Sequence, residues 1–281
     1  MSAVFETEAP SKDSHAAGLG PHHVEATETT LPAAAPGRQW WRALKAIGRL
    51  AMNTDDTTQV FEIIHALGGD NMERTFERVI SLPEGQRLLR DKPSLNVLVG
   101  DHTRLAAMPD GSLGRAYLRF MLDGGITPAG LIDAQDAIRP NDPIHDDPDP
   151  DRFYVQRRLV EMHDLWHVLT GYGRDDTGEL ANLWFSYGQF GQLGMGFIAF
   201  LGTLDGPRSP SWYGYMRSAY RRGEQAQFLV ATPMEEMLEL PIDEARRTLA
   251  VSLPLEAHPD GILTGNRAAE GIGRGPRVQP L

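Results

Sequence analysis

The stretch from Arg152 to Gly171 constrains the fold more than any other part of the chain. Its apolar residues fall within a sector of about 80° when each residue is rotated by about 100°, as in an α-helix. These residues are Val155, Leu159, Met162, Trp166 and Leu169. A stripe of this width predicts one long helix that packs one face against a core.

Other segments repeat this helical pattern and its end signals. They are TTQVFEIIHALGG, NMERTFERVI, SLGRAYLRFMLDGG, TPAGLIDAQDAI and TPMEEMLEL. Thr127 and Thr232 each precede a proline and are predicted N-caps, and Glu235 is expected to complete a capping box. The sequence has no clear alternation of period two and no hairpin signal. The chain is therefore predicted to be all-α, with a single multi-helix domain at residues 39–253.

The two ends of the chain and one internal stretch have a different character. Residues 1–38 and 254–281 are rich in small residues, Pro and Gly and have no periodicity, which predicts a disordered N-terminal extension and a flexible C-terminal tail. The stretch RPNDPIHDDPDPDR is too dense in Pro and Asp for a helix and is predicted to be a loop.

Charge and composition exclude several classes of function. The 38 acidic and 27 basic residues give a net charge of -11, which argues against a nucleic-acid partner because such binding needs a basic face. The chain has no cysteine, so any metal must be held by His and carboxylate ligands. No apolar run reaches the roughly 18 residues of a membrane span. The first residues resemble neither a signal nor a transit peptide, so the location is predicted to be cytoplasmic, with a peripheral membrane contact left open.

The segment HDLWHVLTGYGRDDTGE carries a candidate metal site. His163 and His167 are four residues apart, about 40° from each other around a helix, and Asp164 lies on the same flank. A short connection leads to a second, very apolar helix, so the two helices are predicted to be adjacent and antiparallel. Glu179, in the first turn of that second helix, is then placed opposite the histidines as a further ligand. Two His and two carboxylates suit zinc, with manganese, iron or cobalt also allowed.

Other interpretations of these residues remain open at this point. Asp176 and Glu179 could form a capping box, and Asp175 and Asp176 could accept hydrogen bonds from a ligand histidine or simply be solvated. Paired histidines also arise by chance. An HExxH protease is disfavoured because Asp is one methylene shorter than the usual base. A phosphohydrolase would need further ligands, and nothing in the spacing recommends the remaining candidates, which are His65, His102 and His145.

The same residues resemble a known family. His163, Asp164, His167 and Glu179 match the HDxxH-x11-E motif of the fourth Coq protein of ubiquinone (coenzyme Q) biosynthesis. PDGSLGRAYLRFM and LPEGQRLLRDKP are similar to two further segments of that family, and the resemblance spans roughly residues 46–250.

The resemblance implies an all-helical fold and a divalent metal, usually zinc, held by those four residues. It also implies action on a polyprenylated hydroxybenzoate or quinone-type lipid, with oxidative decarboxylation of the ring, and contact with other ubiquinone-biosynthesis enzymes. A homodimer is a further possibility. The acidic N-terminus suggests a bacterial member of the family, located in the cytoplasm and in peripheral contact with the inner membrane.

The apolar second helix suggests where a lipid tail could lie. Part of it is expected to be central core, with glycines that allow close helix packing. A hydrophobic channel that starts beside the metal is the alternative. Its candidate residues are Leu183, Phe190, Gly191, Gly194 and Phe197.

Three functions follow from these expectations. The first is a metal-dependent decarboxylase in which the ion acts as a Lewis acid and Arg157 or Arg158 orients a carboxylate, although exposed arginines on a helix are commoner. The second is a non-catalytic scaffold that binds metal and lipid and organises the pathway enzymes. The third, least favoured, is a metal hydrolase.

Overall fold

The computed structural model describes residues 37–53, 56–125, 127, 133 and 149–254, and within them the fold is a single all-helical domain. The helices are α1 (Trp40–Met52), α2 (Thr57–Gly68), α3 (Asn71–Ile80), α4 (Pro83–Asp91), α5 (Leu95–Gly100), α6 (His102–Ala107), α7 (Leu113–Gly124), α8 (Pro150–Glu161), α9 (His163–Thr170), α10 (Asp176–Phe190), α11 (Leu193–Asp205), α12 (Pro210–Gln225), α13 (Met234–Met237) and α14 (Ile242–Thr248). A 3-10 turn, Leu229–Ala231, precedes α13. Within this described part, the one β-type contact is an isolated bridge between Ser112 and Pro241.

The predictions of all-α structure and of helices at α2, α3 and α7 are confirmed. Apart from positions 127 and 133, the segment TPAGLIDAQDAI lies outside the described residues, and so does most of the Pro- and Asp-rich loop. So do the predicted tails, except for positions 37, 38 and 254. Every helix in the described part of the chain is too short or too polar to serve as a membrane span.

The long helix predicted over residues 152–171 is divided at Met162, where α8 ends and α9 begins. Met162 keeps right-handed helical angles, and its N–H donates to both Arg158 O and Val160 O, so the helix tightens there without turning away. The predicted apolar stripe therefore survives the division: four of its residues are buried and Leu159 packs against the same core.

The apolar helix predicted after Glu179 is also divided, at Gly191. This residue has φ +65°, a left-handed conformation that glycine adopts without a steric penalty, and it ends α10. Gln192 then begins α11 by accepting a hydrogen bond from Met195 N–H. The prediction of one continuous helix is wrong because a left-handed residue cannot continue the α-helical hydrogen-bond ladder.

The predicted capping box at Glu235 is wrong, and the alternative of a capping box formed by Asp176 and Glu179 is also excluded. Asp175, and not Asp176, caps α10 by accepting hydrogen bonds from Thr177 and Gly178 N–H. At α13 the cap position is Pro233, and no side chain caps the helix. Both glutamates assigned to these boxes, Glu179 and Glu235, instead make tertiary contacts.

The core consists of two clusters. The larger one includes residues of α7, α9, α10 and α12, and it surrounds the site described below. Within it α10 and α12 approach closely, since a β-carbon at Gly188 would lie 2.3 Å from Tyr220 O and one at Gly223 would lie 2.1 Å from Phe185 O. The smaller cluster joins α1, α2 and α11. The expected packing role of glycines in the apolar segment is thus confirmed at Gly188.

Candidate metal centre

Helix α9 and the first turn of α10 bring three side chains to one point. One ligand atom each of His163, His167 and Glu179 lies within 4.8 Å of the other two. The Nε2 atoms of His163 and His167 are 3.7 Å and 3.2 Å from Glu179 Oε2. The i, i+4 spacing within α9 aligns the two histidines, while a short connection returns the chain so that Glu179 faces them.

That connection has a local explanation in the sequence. Gly171 has φ +76° and ends α9, with its N–H donating to His167 O. Asp175 then opens α10 as its cap. The antiparallel arrangement of the two helices stays a prediction, whereas the meeting of His163, His167 and Glu179 is a feature of the structure.

The second ring nitrogen of each histidine has its own partner. His163 Nδ1 lies 3.2 Å from Asp164 Oδ1, and His167 Nδ1 lies 3.3 Å from the carbonyl oxygen of Tyr172. Carboxylates and carbonyls in these positions fix the tautomer that leaves Nε2 free to bind a metal. Asp164, the fourth predicted ligand, thus contacts His163 and lies outside the three-atom group. The outer acceptor for His167 is Tyr172, not Asp175 or Asp176.

The donor set fits a divalent metal. His167 Nε2 is buried and makes no hydrogen bond within the described part of the chain, although Glu179 Oε2 is close to it. Two imidazole nitrogens and one carboxylate are the usual ligands of zinc and similar ions. Exposure rises from none at His167 through 24% at His163 to 43% at Glu179, so the group opens from the core towards solvent.

The charges in the group influence one another. Burial lowers the pKa of His163, but the hydrogen bond to Asp164 and the charge of Glu179 outweigh it, so the net pKa is raised. Burial raises the pKa of Glu179, but the charges of His167, His163 and Arg174 outweigh it, so that pKa is lowered. The carboxylate is therefore available as an anionic ligand at neutral pH.

Helix α7 forms another wall of the site. Gly111, with φ +76°, turns the chain, and Ser112 caps α7 by accepting from Arg115 N–H. The ring of Phe120 then stacks on His167, with centroids 5.6 Å apart. Tyr117 is buried near Asp164, and both burial and that charge raise its pKa, so the phenol stays protonated. The PDGSLGRAYLRFM segment is thus the part of the sequence that shapes this wall.

The arginines differ from their predicted roles. Arg158 is 1% exposed; it donates to both carboxylate oxygens of Glu235, at 2.7 and 2.8 Å, and to Thr232 O. The expectation that it is exposed is wrong, because a distant carboxylate compensates the buried charge. Arg157 is half-buried, with Nε 3.9 Å from Glu161. Arg174, which the sequence did not single out, has its Cζ 4.8 Å from the centre of the Phe120 ring.

The residues predicted to line a lipid channel are spread over different surroundings, and the channel stays a prediction. Phe190 packs edge-on to Trp166, and Phe197 packs edge-on to Trp40 in the smaller cluster. Gly191 ends α10 and is exposed, and Leu183 is half-buried. At Gly194 a β-carbon would lie 2.5 Å from Ile64 Cα, so this glycine admits a neighbouring helix and leaves no room for an isoprenoid chain.

Among the described residues, the histidines outside the group make no second site. His102 is exposed at the start of α6, and His65 is half-buried in α2. His145 lies outside the described residues. Among the described residues, the one group with metal-ligand geometry is His163, His167 and Glu179.

The fold and site define an all-helical protein with a His, His, Glu group on two consecutive helices. The model of the family "Coenzyme Q (ubiquinone) biosynthesis protein Coq4" matches residues 38–254, and the chain belongs to this family. The resemblance drawn from HDxxH-x11-E is therefore confirmed. This family acts in ubiquinone biosynthesis.

Named relatives support the assignment at modest identity. A mitochondrial ubiquinone biosynthesis protein of Botryotinia fuckeliana is 28% identical over 65% of this chain and 62% of its own length. The Danio rerio homologue, also named mitochondrial, is 29% identical over 66% of each chain. This chain thus spans a little under two thirds of these proteins.

A solved structure supports the fold. A candidate ubiquinone biosynthesis protein from Nostoc punctiforme superposes with a TM-score of 0.54 at 19% identity, covering 77% of this chain and all of that one. At this identity the likeness concerns the fold alone.

The predicted location needs correction. The sequence suggested a bacterial cytoplasmic protein in peripheral contact with the inner membrane. The relatives from Botryotinia fuckeliana, Coprinopsis cinerea and Danio rerio are all named as mitochondrial proteins, and this contradicts the prediction. The prediction relied on the composition of the first residues alone.

Proposed function

We propose that this chain binds a divalent metal through His163, His167 and Glu179 and acts on a polyprenylated hydroxybenzoate in ubiquinone biosynthesis. The observation that carries the metal proposal is the free, buried Nε2 of His167 beside the Glu179 carboxylate. The family membership supports the pathway, and the substrate class is the one that the resemblance to this family implies. Zinc suits the ligands, and manganese, iron or cobalt are alternatives for the assay to compare.

Three protein ligands favour a catalytic ion over a structural one. Structural zinc sites are closed by four protein ligands, whereas catalytic sites keep a position for water or substrate. The partly exposed Glu179 puts the open side of the group towards solvent. Asp164 is proposed to act through His163, with direct ligation as the alternative. Its carboxylate orients the imidazole through the contact with Nδ1.

The proposed reaction is replacement of the ring carboxylate by a hydroxyl group. The carboxylate leaves as carbon dioxide and water supplies the oxygen of the new hydroxyl group. The change is a two-electron oxidation, for which we propose dioxygen as the oxidant, reduced by the two electrons and two protons to hydrogen peroxide. A divalent cation, when bound, supplies a Lewis acid that polarises the substrate carboxylate or phenolate. Asp164 and Tyr172 O fix the orientation of the His163 and His167 imidazoles through their Nδ1 atoms, and the Phe120 ring excludes water from one face of His167.

The lipid tail and the partners complete the proposal. The prenyl chain is proposed to follow the apolar residues of α10 and α11, and other ubiquinone-biosynthesis enzymes are the proposed protein partners. A homodimer stays a prediction. The scaffold function is the competing proposal, and it differs in one respect: the metal would hold α9 against α10 and would not contact substrate.

The test combines metal content with turnover. Purified wild type, His163→Ala, Glu179→Gln and the control His102→Ala are compared by elemental analysis, and each is given a prenylated hydroxybenzoate labelled with carbon-13 in its carboxyl group. Wild type and control should hold about one metal per chain and release labelled carbon dioxide. Full turnover by folded, metal-free His163→Ala would contradict the catalytic proposal. Loss of folding on metal removal, with no turnover by the metal-loaded wild type, would favour the scaffold.

A further inference from the structure

Arg174 lies beside the metal group with a guanidinium that the rest of the described chain does not satisfy. Its Nη1 atom is buried and has no hydrogen-bond partner there. Within the described residues the Arg174 side chain forms no hydrogen bond or salt bridge, and it contacts the Phe120 ring. Buried donors in native proteins are almost always paired, so an unpaired one points to a bound molecule or water.

Other arginines of this core behave differently. Arg158 donates to both oxygens of Glu235, and Arg222 donates to Thr170 O and Ser252 O. Arg158 Nε and Arg222 Nη1 are also buried and unpaired, but the other nitrogens of these two guanidinium groups donate to the protein, whereas Arg174 makes no side-chain hydrogen bond in the described residues. Arg174 is half-buried and keeps its hydrogen-bonding capacity, even though its charge acts on the nearby Glu179 carboxylate.

Arg174 and the proposed ligand His167 share the aromatic neighbour Phe120. Phe120 contacts both groups: the guanidinium carbon is 4.8 Å from its ring centre, and the His167 ring stacks on it at 5.6 Å. A cation over an aromatic face is held in place without using its N–H donors. The planar fork of arginine matches a carboxylate with two parallel hydrogen bonds.

We propose that Arg174 binds the ring carboxylate of the substrate, next to the His163, His167 and Glu179 group. This assignment rests on the proposed function, because it takes the substrate to be an aromatic acid. It replaces the predicted role of Arg157 or Arg158. The two hydrogen bonds would fill the unpaired donor and set which end of the aromatic ring faces the metal ligands.

The test measures equilibrium binding with two probes that differ in one charge. The probes are 3-geranyl-4-hydroxybenzoic acid and its carboxamide, titrated calorimetrically into metal-loaded and metal-free protein. Wild type should bind the acid at least about tenfold more tightly than the amide. In Arg174→Gln the affinity for the acid should fall by roughly tenfold to a hundredfold, which corresponds to the loss of a charge-assisted pair, while the affinity for the amide is unchanged. Arg174→Lys, which keeps the charge and loses the fork, should fall between them.

Controls separate this assignment from the proposed function. The exposed Arg217 on α12 supplies a matched variant, Arg217→Gln, which should behave as wild type. Circular dichroism checks that each variant folds. If Arg174→Gln does not fold, Arg174→Lys still provides the test. An unchanged preference for the acid in Arg174→Gln overturns the assignment and leaves the proposed function standing. Failure of wild type to bind either probe overturns the substrate class and the assignment with it.

Discussion

The carbonyl oxygen of Gly173 occupies the space beside Gly178, where an added β-carbon would lie 2.0 Å from it. This contact holds the connection after α9 tightly against the first turn of α10. Glu179 is the next residue, so the position of the proposed metal carboxylate depends on the contact. Only a residue without a side chain allows such an approach.

Gly178→Ala should therefore disturb both stability and metal binding. Overpacking against backbone typically costs about 1–3 kcal/mol, and we expect a loss in that range in the free energy of unfolding by denaturant. Metal content should fall as Glu179 moves. Gly214 on α12 has open space around its Cα, so Gly214→Ala should be neutral or stabilise by up to ~1 kcal/mol. Equal effects of the two substitutions would contradict the packing argument.

Asp164→Asn tests how Asp164 serves the metal group. If its carboxylate acts through His163 Nδ1, as the 3.2 Å contact indicates, metal affinity should drop about tenfold to a hundredfold and not disappear. His163→Ala should abolish binding. Competition with a chromogenic chelator measures both affinities, and Asp123→Asn, at an exposed position of α7, is the control. A loss as complete as that of His163→Ala would instead indicate direct ligation by Asp164.

The pair formed by Arg158 and Glu235 links α8 to α13 across the core. Arg158→Met leaves the Glu235 carboxylate without its buried partner, and we expect a loss of roughly 3–5 kcal/mol in unfolding free energy. The double variant Arg158→Met with Glu235→Leu should recover part of that loss. Arg87 also donates to both carboxylate oxygens of Glu236, but at the surface, so Arg87→Met should cost much less unfolding free energy than Arg158→Met. Similar costs at both sites would show that burial does not matter here.

Glu73 supplies a pH-dependent contribution to stability. Its hydrogen bonds with Arg152, at 2.8 and 2.9 Å, lower its pKa despite the opposing effect of burial. The folded state then holds a proton less firmly than the unfolded state, so this stabilisation is present above the unfolded pKa and is lost as pH falls through the folded pKa.

Glu73→Gln should be destabilised by ~1 kcal/mol at pH 7, and the difference from wild type should shrink between about pH 5 and pH 3. Urea unfolding across this range measures it. The exposed Glu77 on the same helix supplies the control variant, Glu77→Gln, which is measured over the same range. A difference that grows on acidification would contradict the assignment to Glu73.

The sequence alone determined what depends on neighbours along the chain. The period of apolar residues predicted the helical class and the buried stripe around Trp166, because a helix face is set by local geometry. The four-residue spacing of His163 and His167 predicted their shared flank for the same reason, and the short loop suggested that Glu179 would join them.

Tertiary structure decided what depends on contacts between distant segments. It divided the long predicted helices at Met162 and Gly191 and paired Glu235 with Arg158. It also placed Phe120 of α7 against His167 and Arg174. Local periodicity does not indicate any of these contacts. The sequence around a buried arginine does not differ from that around an exposed one, and the carboxylate that pairs with Arg158 is 77 residues away. The meeting of His163, His167 and Glu179 was therefore foreseeable from spacing, whereas the residue that we propose receives the substrate carboxylate was not.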